Sequence, residues 1–222
     1  MASICSVVVV QLVFLLLCLA ATCTHAVTNA SVDVICTDSV LSSCRIVPSK
    51  WRTGAPVNKG QLASAWFSDS YNETGWAHLE IATFQGSPID SEDIDSLQAY
   101  AAGLAEGYLT GVKVSQHSTN TFASYWGKGL PPQPFVDYIE TNLAYMRKQS
   151  ELLGQLDSFW HQVGLVIVQM QGILDGSNMA LVEAEMQKLT FFDIMISNIG
   201  NLCNYAICTK CCSSSPHPTR RC

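Results

Sequence analysis

The sequence is poor in charged residues, and in basic residues most of all. Only 14% of its 222 residues are charged, and 12 Lys and Arg stand against 18 Asp and Glu, which gives a formal net charge of -6. Nucleic-acid binding requires clustered basic side chains, because the release of counterions from phosphates supplies much of the affinity. The one dense basic pair, Arg220 and Arg221, lies next to the last residue and is typical of a solvated tail. We therefore predict no nucleic-acid partner.

Several catalytic motifs are also absent. The sequence contains no G-x-S-x-G nucleophile elbow, no H-E-x-x-H zinc helix and no glycine-rich phosphate loop. Three histidines and three carboxylates lie in the segment expected to fold: His78, His117, His161, Glu80, Glu106 and Asp157. No nucleophile adjoins them, so we interpret each as a hydrogen-bonded structural group. The residues alone predict a globular α+β protein, 48% hydrophobic, with no cofactor.

Residues 1–26 are predicted to be a signal peptide. Val7–Ala21 is almost wholly apolar and has the length of a signal-peptide core rather than that of a membrane span. Thr24 and Ala26 place small residues where a signal peptidase cleaves. An uncleaved membrane anchor is the alternative. Glutamines flank the later apolar stretch Val163–Val168, so we expect that no later segment reaches membrane-spanning length and that the chain has no stable transmembrane anchor.

Two sequons fit a protein that is exported through the secretory pathway. Asn29-Ala30-Ser31 and Asn72-Glu73-Thr74 both lack a proline at the middle position. Such triplets accept N-linked glycans when they are exposed. Asn72 lies in a predicted turn and is the better candidate of the two. We predict glycosylation at Asn29 and Asn72.

The ten cysteines fall into three groups. Three would leave with the signal peptide: Cys5, Cys18 and Cys23. Cys36 and Cys44 are close in sequence, and we predict a disulfide between them in an oxidising compartment. The other five lie within the last twenty residues: Cys203, Cys208, Cys211, Cys212 and Cys222. The run Cys208–Cys211 has the spacing of a zinc knuckle that Cys222 or His217 could complete, but a single such pair is weak evidence, and we predict no metal site.

Residues 59–84 predict a β-hairpin. Gln61–Phe67 and Trp76–Phe84 are rich in aliphatic and aromatic residues, and Asp69–Gly75 between them has the composition of a turn. Polar and apolar residues mix in the second strand without clean alternation, which indicates that both of its faces are covered. We therefore expect a sheet that is sandwiched between layers.

Helical periodicity begins after Pro88. Asp90-Ser91 supplies a capping serine, and Glu92 and Asp93 follow as an acidic first turn. Apolar residues then recur at spacings of three and four until an expected end near Gly111. Small residues would let another element pack closely on this helix: Ala101, Ala102, Gly103 and Gly107. Three further helices are predicted, a short one over 116–126 and longer ones over 135–154 and 156–174. A loop with a helix-ending glycine is expected at 175–178. The segment from 179 to 199 is expected to begin as a helix and to become either a strand or a buried helix over 191–196.

Three segments, taken in order, carry a family resemblance. They are Thr74–Thr83 (TGWAHLEIAT), Gln98–Thr110 (QAYAAGLAEGYLT) and Ser158–Leu165 (SFWHQVGL), with Gln169 and Gly172 beyond. Together they closely resemble the amino-terminal half of the phospholipase B-like family, and the resemblance covers Gly54–Gly200. Three matches in the right order are more specific than any one of them alone.

The resemblance implies an amino-terminal nucleophile hydrolase with a four-layer αββα sandwich, of which this chain would form a part. In that class an internal autocatalytic cleavage exposes a cysteine, whose thiol attacks the substrate carbonyl while its own α-amino group acts as the base. The family is assigned phospholipase activity. The resemblance therefore implies a secreted or lysosomal glycoprotein that hydrolyses the acyl esters of phospholipids.

The nucleophile segment of the family has no match in this sequence. In the family the cysteine lies beyond the segment that corresponds to Phe191–Gly200, in a Gly-Ser-x-Cys-Ser-Ala-Leu-Ile-Lys context. Here a cysteine-rich stretch follows Gly200, and Cys212 with Ser213 imitates only the dipeptide. Cys212 is a weak candidate for the nucleophile, because an activated thiol needs a structured environment. We expect a truncated form that lacks the catalytic residue.

The sequence is thus expected to have four parts: a signal peptide at 1–26, a mature amino-terminal segment at 27–53, the phospholipase B-like part at 54–200 and a divergent cysteine-rich tail at 201–222. The expected function is that of a phospholipase B-like hydrolase. Two alternatives stay open. One is a secreted, non-catalytic binding or decoy protein that uses the apolar surface left by a missing half of the sandwich, and the other is a fragment that does not fold stably.

Overall fold

The computed structural model describes four stretches of the chain: residues 28–51, 57–84, 93–127 and 131–198. The predicted signal peptide and the tail that contains Cys212 lie outside these stretches. The chain divides into two compact units, one with Met1–Asn29 and Ser68–His78 and the other with Ala30–Phe67 and Leu79–Cys222. In the described stretches, every helix of more than one turn belongs to the larger unit.

The described sheet has four strands in the order β2-β1-β3-β4. They are β1 (Thr28–Cys36), β2 (Cys44–Pro48), β3 (Gln61–Ser70) and β4 (Trp76–Thr83). β1 and β2 are antiparallel, with Val34 opposite Ile46 and Cys36 opposite Cys44. Buried Val32, Val34 and Cys36 alternate with more exposed residues along β1, and this period of two directs them into the core. β1 and β2 add two strands to the hairpin that the sequence predicts.

The predicted hairpin over 61–84 is confirmed. β3 and β4 are neighbours in the sheet, and so short a connection allows only an antiparallel pair. The connection lies in the smaller unit and contains one helical turn, α1 (Tyr71–Thr74), which ends at Gly75 with a φ of 81°. The prediction that both faces of the second strand are covered is wrong, because Trp76 is 78% exposed and Glu80 is exposed as well. β4 is an edge strand of the described sheet, which accounts for its mixed composition.

Four longer helices follow in the described residues: α2 (Ile94–Trp126), α3 (Gln133–Leu153), α4 (Ser158–Glu183) and α5 (Phe191–Asn198). The carboxylate of Asp93 caps α2 by accepting a hydrogen bond from the backbone N–H of Ser96 at 3.2 Å. Asp157 caps α4 in the same way, from the N–H of Phe159 at 2.8 Å. The cap predicted at 90–91 lies outside the described residues.

Two predicted helix boundaries are wrong. α2 continues past Gly111 and includes the separate helix predicted over 116–126. A Cβ built on Gly111 would lie 2.7 Å from the Cα of Ser177, so this glycine permits close packing and does not end the helix. The loop predicted over 175–178 is likewise part of α4. The sequence predicted either a strand or a buried helix over 191–196, and the structure has a buried helix there.

α4 is long and apolar enough to cross a membrane by length and composition alone. The expectation that no later segment reaches that length is therefore wrong. The glycines of α4 contact another helix, because a Cβ on Gly172 or Gly176 would lie 2.4 or 2.1 Å from the carbonyl oxygen of Tyr100 or Leu104 on α2. The apolar composition of α4 thus fits a helix that packs along α2.

The core of the larger unit lies between the sheet and α2. Its buried members are Val32, Val34, Cys36, Leu62, Ala63 and Ala65 from the strands and Leu97, Tyr100, Ala101, Leu104 and Ala105 from α2. Removal of this apolar area from water is the main favourable contribution to the free energy of folding. α2 is the central helix, since it contacts both the sheet and α4.

Candidate functional site

α2 and α4 approach each other along rows of glycines. A Cβ on Gly103 would lie 2.1 Å from the carbonyl oxygen of Gln169, and a Cβ on Gly107 would lie 2.1 Å from that of Ile173. No side chain fits at either position without moving one helix backbone. The close packing that the sequence predicts from Gly103 and Gly107 is confirmed, and it brings polar side chains of the two helices within hydrogen-bond distance.

Two tyrosines of α2 donate hydrogen bonds to carboxylates of α4. The Tyr100 hydroxyl donates to Oδ2 of Asp175 at 2.8 Å, and Nε2 of Gln171 donates to Oδ1 of the same carboxylate at 3.0 Å. The Tyr108 hydroxyl donates to Oε2 of Glu183 at 3.0 Å. Burial raises the pKa of both tyrosines, and the adjoining carboxylates raise it further. Both hydroxyls therefore stay protonated and act as fixed donors that hold the helices in register.

Glu106 is a carboxyl group of α2, and its ionised form is disfavoured in the folded chain. Burial raises the pKa of Glu106, while a hydrogen bond with the side chain of Gln169 opposes the shift. Because its pKa is raised in the folded chain, the stability that Glu106 contributes is fully present below the unfolded-state pKa and is lost as pH rises through the folded-state pKa. The contribution of Glu106 to the contact between α2 and α4 is therefore more favourable at acid pH.

Glu106→Gln is expected to remove this pH dependence. The amide keeps the shape of the protonated acid and cannot ionise, so the variant and the native chain should have similar free energies of unfolding at acid pH. The variant should become the more stable of the two as pH rises to neutral. Urea unfolding at a series of pH values measures the difference. Glu140→Gln, on the exposed side of α3, is the matched control, and the same pH trend in both variants would contradict the assignment.

A second polar network joins β1 and β3. The backbone N–H of Asn58 donates to Oε1 of Gln61 at 2.8 Å, and Nε2 of Gln61 donates to Oγ of Ser64 at 2.7 Å. Ser64 in turn donates to Oδ1 of Asp33. Gln61 and Ser64 are buried. The sequence gives no signal for this network, because its members are up to 31 positions apart. These side-chain hydrogen bonds tie β1 to β3.

The three histidines considered in the sequence analysis lie in different environments. In the larger unit, Nε2 of His161 lies 3.3 Å from Oδ2 of Asp95, and Nε2 of His117 lies 3.5 Å from the hydroxyl of Thr121. His78, in the smaller unit, is exposed. The structural role of these groups stays a prediction.

The predicted modification sites lie in described strands and turns. Asn29 and Asn72 are both exposed. The sequon residue Thr74 accepts a hydrogen bond from the N–H of Trp76 at 3.3 Å, so the triplet lies in an ordered turn. The structure contains a disulfide between Cys36 and Cys44, which joins the end of β1 to the start of β2. Glycosylation stays a prediction.

A packed helix pair on one side of a sheet defines the chain as an α+β protein. The family model for Phospholipase B matches residues 63–215, which is more than half of the chain. The match begins in β3, includes the four longer helices and extends past Gly200. The chain belongs to the phospholipase B-like family.

Individual relatives agree with the family match. Phospholipase B-like protein B of Dictyostelium discoideum is 35% identical over 151 residues, which cover 66% of this chain and 25% of that protein. Phospholipase B-like 1 of Rattus norvegicus is 32% identical over 147 residues, covering 66% of this chain and 26% of that protein. Phospholipase B of Crotalus adamanteus is 32% identical over 148 residues, with the same two coverages. The chain spans about a quarter of the length of these curated relatives.

Proposed function

We propose that the chain is the amino-terminal part of a phospholipase B-like hydrolase that cleaves acyl esters of phospholipids. The observation that carries the proposal is the family match over residues 63–215, together with relatives that are named phospholipase B or phospholipase B-like. The part of the enzyme that this chain supplies is the scaffold formed by α2, α4 and the sheet.

In this proposal the sheet is one of two in a four-layer αββα sandwich of the amino-terminal nucleophile class. Exposed apolar side chains support the presence of further layers. In the larger unit, Leu156 is 84% exposed and Phe159 is 62% exposed where α3 turns into α4. Isolated exposed apolar residues are normal, but neighbouring large ones mark a surface that another element covers.

The catalytic nucleophile, in this proposal, is a cysteine in polypeptide that the 222-residue sequence does not include, and Cys212 does not replace it. The protein enters the secretory pathway through the signal peptide at 1–26 and carries glycans at Asn29 and Asn72. Secretion or delivery to the lysosome follows from the same proposal. The raised pKa of Glu106 is consistent with an acid compartment, because protonation of this group stabilises the fold.

Sequencing of the transcript through the codons after Gly200 tests the proposal. We expect the reading frame of the active product to continue into a Cys-Ser-Ala-Leu strand, and we expect that product to release fatty acid from phosphatidylcholine. Replacement of the cysteine in that strand by alanine should abolish the release. Activity that survives this replacement would contradict a cysteine nucleophile in the added segment.

A non-catalytic binding protein is the second candidate. The observation that favours it is the exposed apolar surface formed by Leu152, Leu156 and Phe159. Under this reading every transcript would stop after Cys222, and cells would secrete a folded chain that has no hydrolytic activity. The two candidates are thus separated by the transcript and by the secreted product.

A further inference from the structure

The connection between β3 and β4 presents two aromatic side chains to solvent. Trp76 is 78% exposed and Tyr71 is 65% exposed. Among the aromatic side chains of the described residues, that of Trp76 has the largest exposed fraction. An indole so exposed keeps most of its apolar area in water, so a group that covered it would lower the free energy of the folded chain.

Trp76 lies at the end of an ordered turn. α1 ends at Gly75, whose backbone N–H donates to the carbonyl of Tyr71 at 2.8 Å. The hydroxyl of Thr74 donates to the carbonyl of Ser70 at 3.0 Å and accepts from the backbone N–H of Trp76 at 3.3 Å. These bonds fix the backbone that carries the indole, and little further entropy is lost when another group packs on it.

The sequon Asn72-Glu73-Thr74 belongs to the same turn. Asn72 is exposed and lies four positions before Trp76, and both residues are in the smaller unit. A Cβ built on Gly75, between them, would meet no atom within 4 Å outside its chain neighbours, so the space beside the turn is open. A glycan attached to Asn72 therefore has room to fold back over the turn.

We propose that the first sugars of a glycan on Asn72 stack on the indole of Trp76. One face of a pyranose ring presents C–H groups with partial positive charge, and the face of an indole is the negative part of its quadrupole, so the two attract each other. Stacking removes both apolar faces from water and leaves the sugar hydroxyls hydrated. The inference rests on the export and glycosylation proposed above, because N-linked glycans mark exposed positions of secreted proteins.

Hydroxyl-radical oxidation of the full chain secreted by cultured insect cells, followed by tandem mass spectrometry, tests the proposal. Digestion of the native chain with peptide N-glycosidase F removes the glycan, and Asn72→Gln prevents its attachment. In both cases we expect the oxidation rate of Trp76 to rise about twofold, because a stacked sugar covers one of the two faces of the ring. The rate at Tyr138, which is 54% exposed in the larger unit, should stay unchanged.

Asn29→Gln is the matched control, since it removes the other predicted glycan. It should leave the oxidation rate of Trp76 at its native value, and a rise in this variant but not in Asn72→Gln would overturn the proposal. Equal rates at Trp76 with and without a glycan on Asn72 would overturn it as well. The mass of the secreted chain separates two kinds of failure. An unmodified Asn72 contradicts the glycosylation itself and the stacking with it, whereas a modified Asn72 beside an unprotected Trp76 contradicts the stacking alone.

Trp76→Ala gives a second readout, and the exposure of this side chain means that the variant should keep its fold. Removal of the glycan should lower the urea concentration at which the native chain unfolds. The same treatment should have little effect on Trp76→Ala, because the sugar has already lost the ring on which it stacks. Equal losses in the two chains would show that the glycan acts independently of Trp76.

Discussion

Gly176→Ala is expected to lower the free energy of unfolding by about 3 kcal/mol, and Gly107→Ala by a similar amount, because both substitutions overpack a close helix contact. The added Cβ would lie 2.1 Å from a carbonyl oxygen of the opposing helix, that of Leu104 for Gly176 and that of Ile173 for Gly107. A backbone carbonyl cannot move away from the added Cβ by changing rotamer, as a flexible side chain can. The two helices must therefore separate along their length. Urea unfolding followed by circular dichroism measures the loss.

Gly164→Ala in the same helix is the matched control. The nearest atom to a Cβ there is Cβ of Ser150 at 3.3 Å, which is a side-chain atom. Alanine also favours the helix over glycine by about 1 kcal/mol, which offsets the slight crowding. The control should therefore unfold at about the native urea concentration. If Gly176→Ala unfolded at that concentration too, the close contact between α2 and α4 would be wrong.

Removal of the disulfide between Cys36 and Cys44 is expected to cost about 2–3 kcal/mol of folding free energy, because the bond closes a short loop and restricts the unfolded chain. The two cysteines are 8 positions apart, and Cys36 belongs to the buried core. The double variant Cys36→Ala with Cys44→Ala should show this loss in urea unfolding. Since β1 and β2 meet at this pair, we expect hydrogen exchange of their backbone amides with solvent to increase more than that of the other strands.

Ser42→Ala tests whether any change in the same loop has this effect. Ser42 is exposed and lies between the two cysteines, so its loss should leave the free energy of unfolding nearly unchanged. Mass spectrometry of the native chain after alkylation without reduction should show Cys36 and Cys44 unmodified. A double variant as stable as the native chain would show that the disulfide contributes nothing to the fold.

Local composition was sufficient to predict the hairpin and the close helix contact. The strands of the hairpin are marked by aliphatic and aromatic residues around a turn rich in Asp, Asn and Gly, which are signals within one short window. Gly103 and Gly107 predict a close contact because glycine destabilises a helix interior, and its presence there is explained when another element packs against the helix backbone. Both features depend on residues that are near each other in the sequence.

The features that escaped prediction depend on residues that are far apart. Gly111 and Gly176 have the local signal of a helix end, and only the opposing backbone of the other helix shows why the chain stays helical there. The alternation of Val32, Val34 and Cys36 was available in the sequence, but β1 becomes recognisable as a strand through its pairing with β2 and its burial under α2. Helix ends and new strands thus required the tertiary contacts.

The family, by contrast, could be predicted, because three short segments in order are sufficient for it and the family model agrees.

The most direct test of the central claim is fatty acid release from phosphatidylcholine by the purified 222-residue chain, with phospholipase B of Crotalus adamanteus measured beside it. If the chain supplies scaffold and the reactive thiol lies in other polypeptide, the chain should be folded by circular dichroism and should release no fatty acid above the blank. Release that rises with the amount of chain and is abolished by Cys212→Ser would contradict the account.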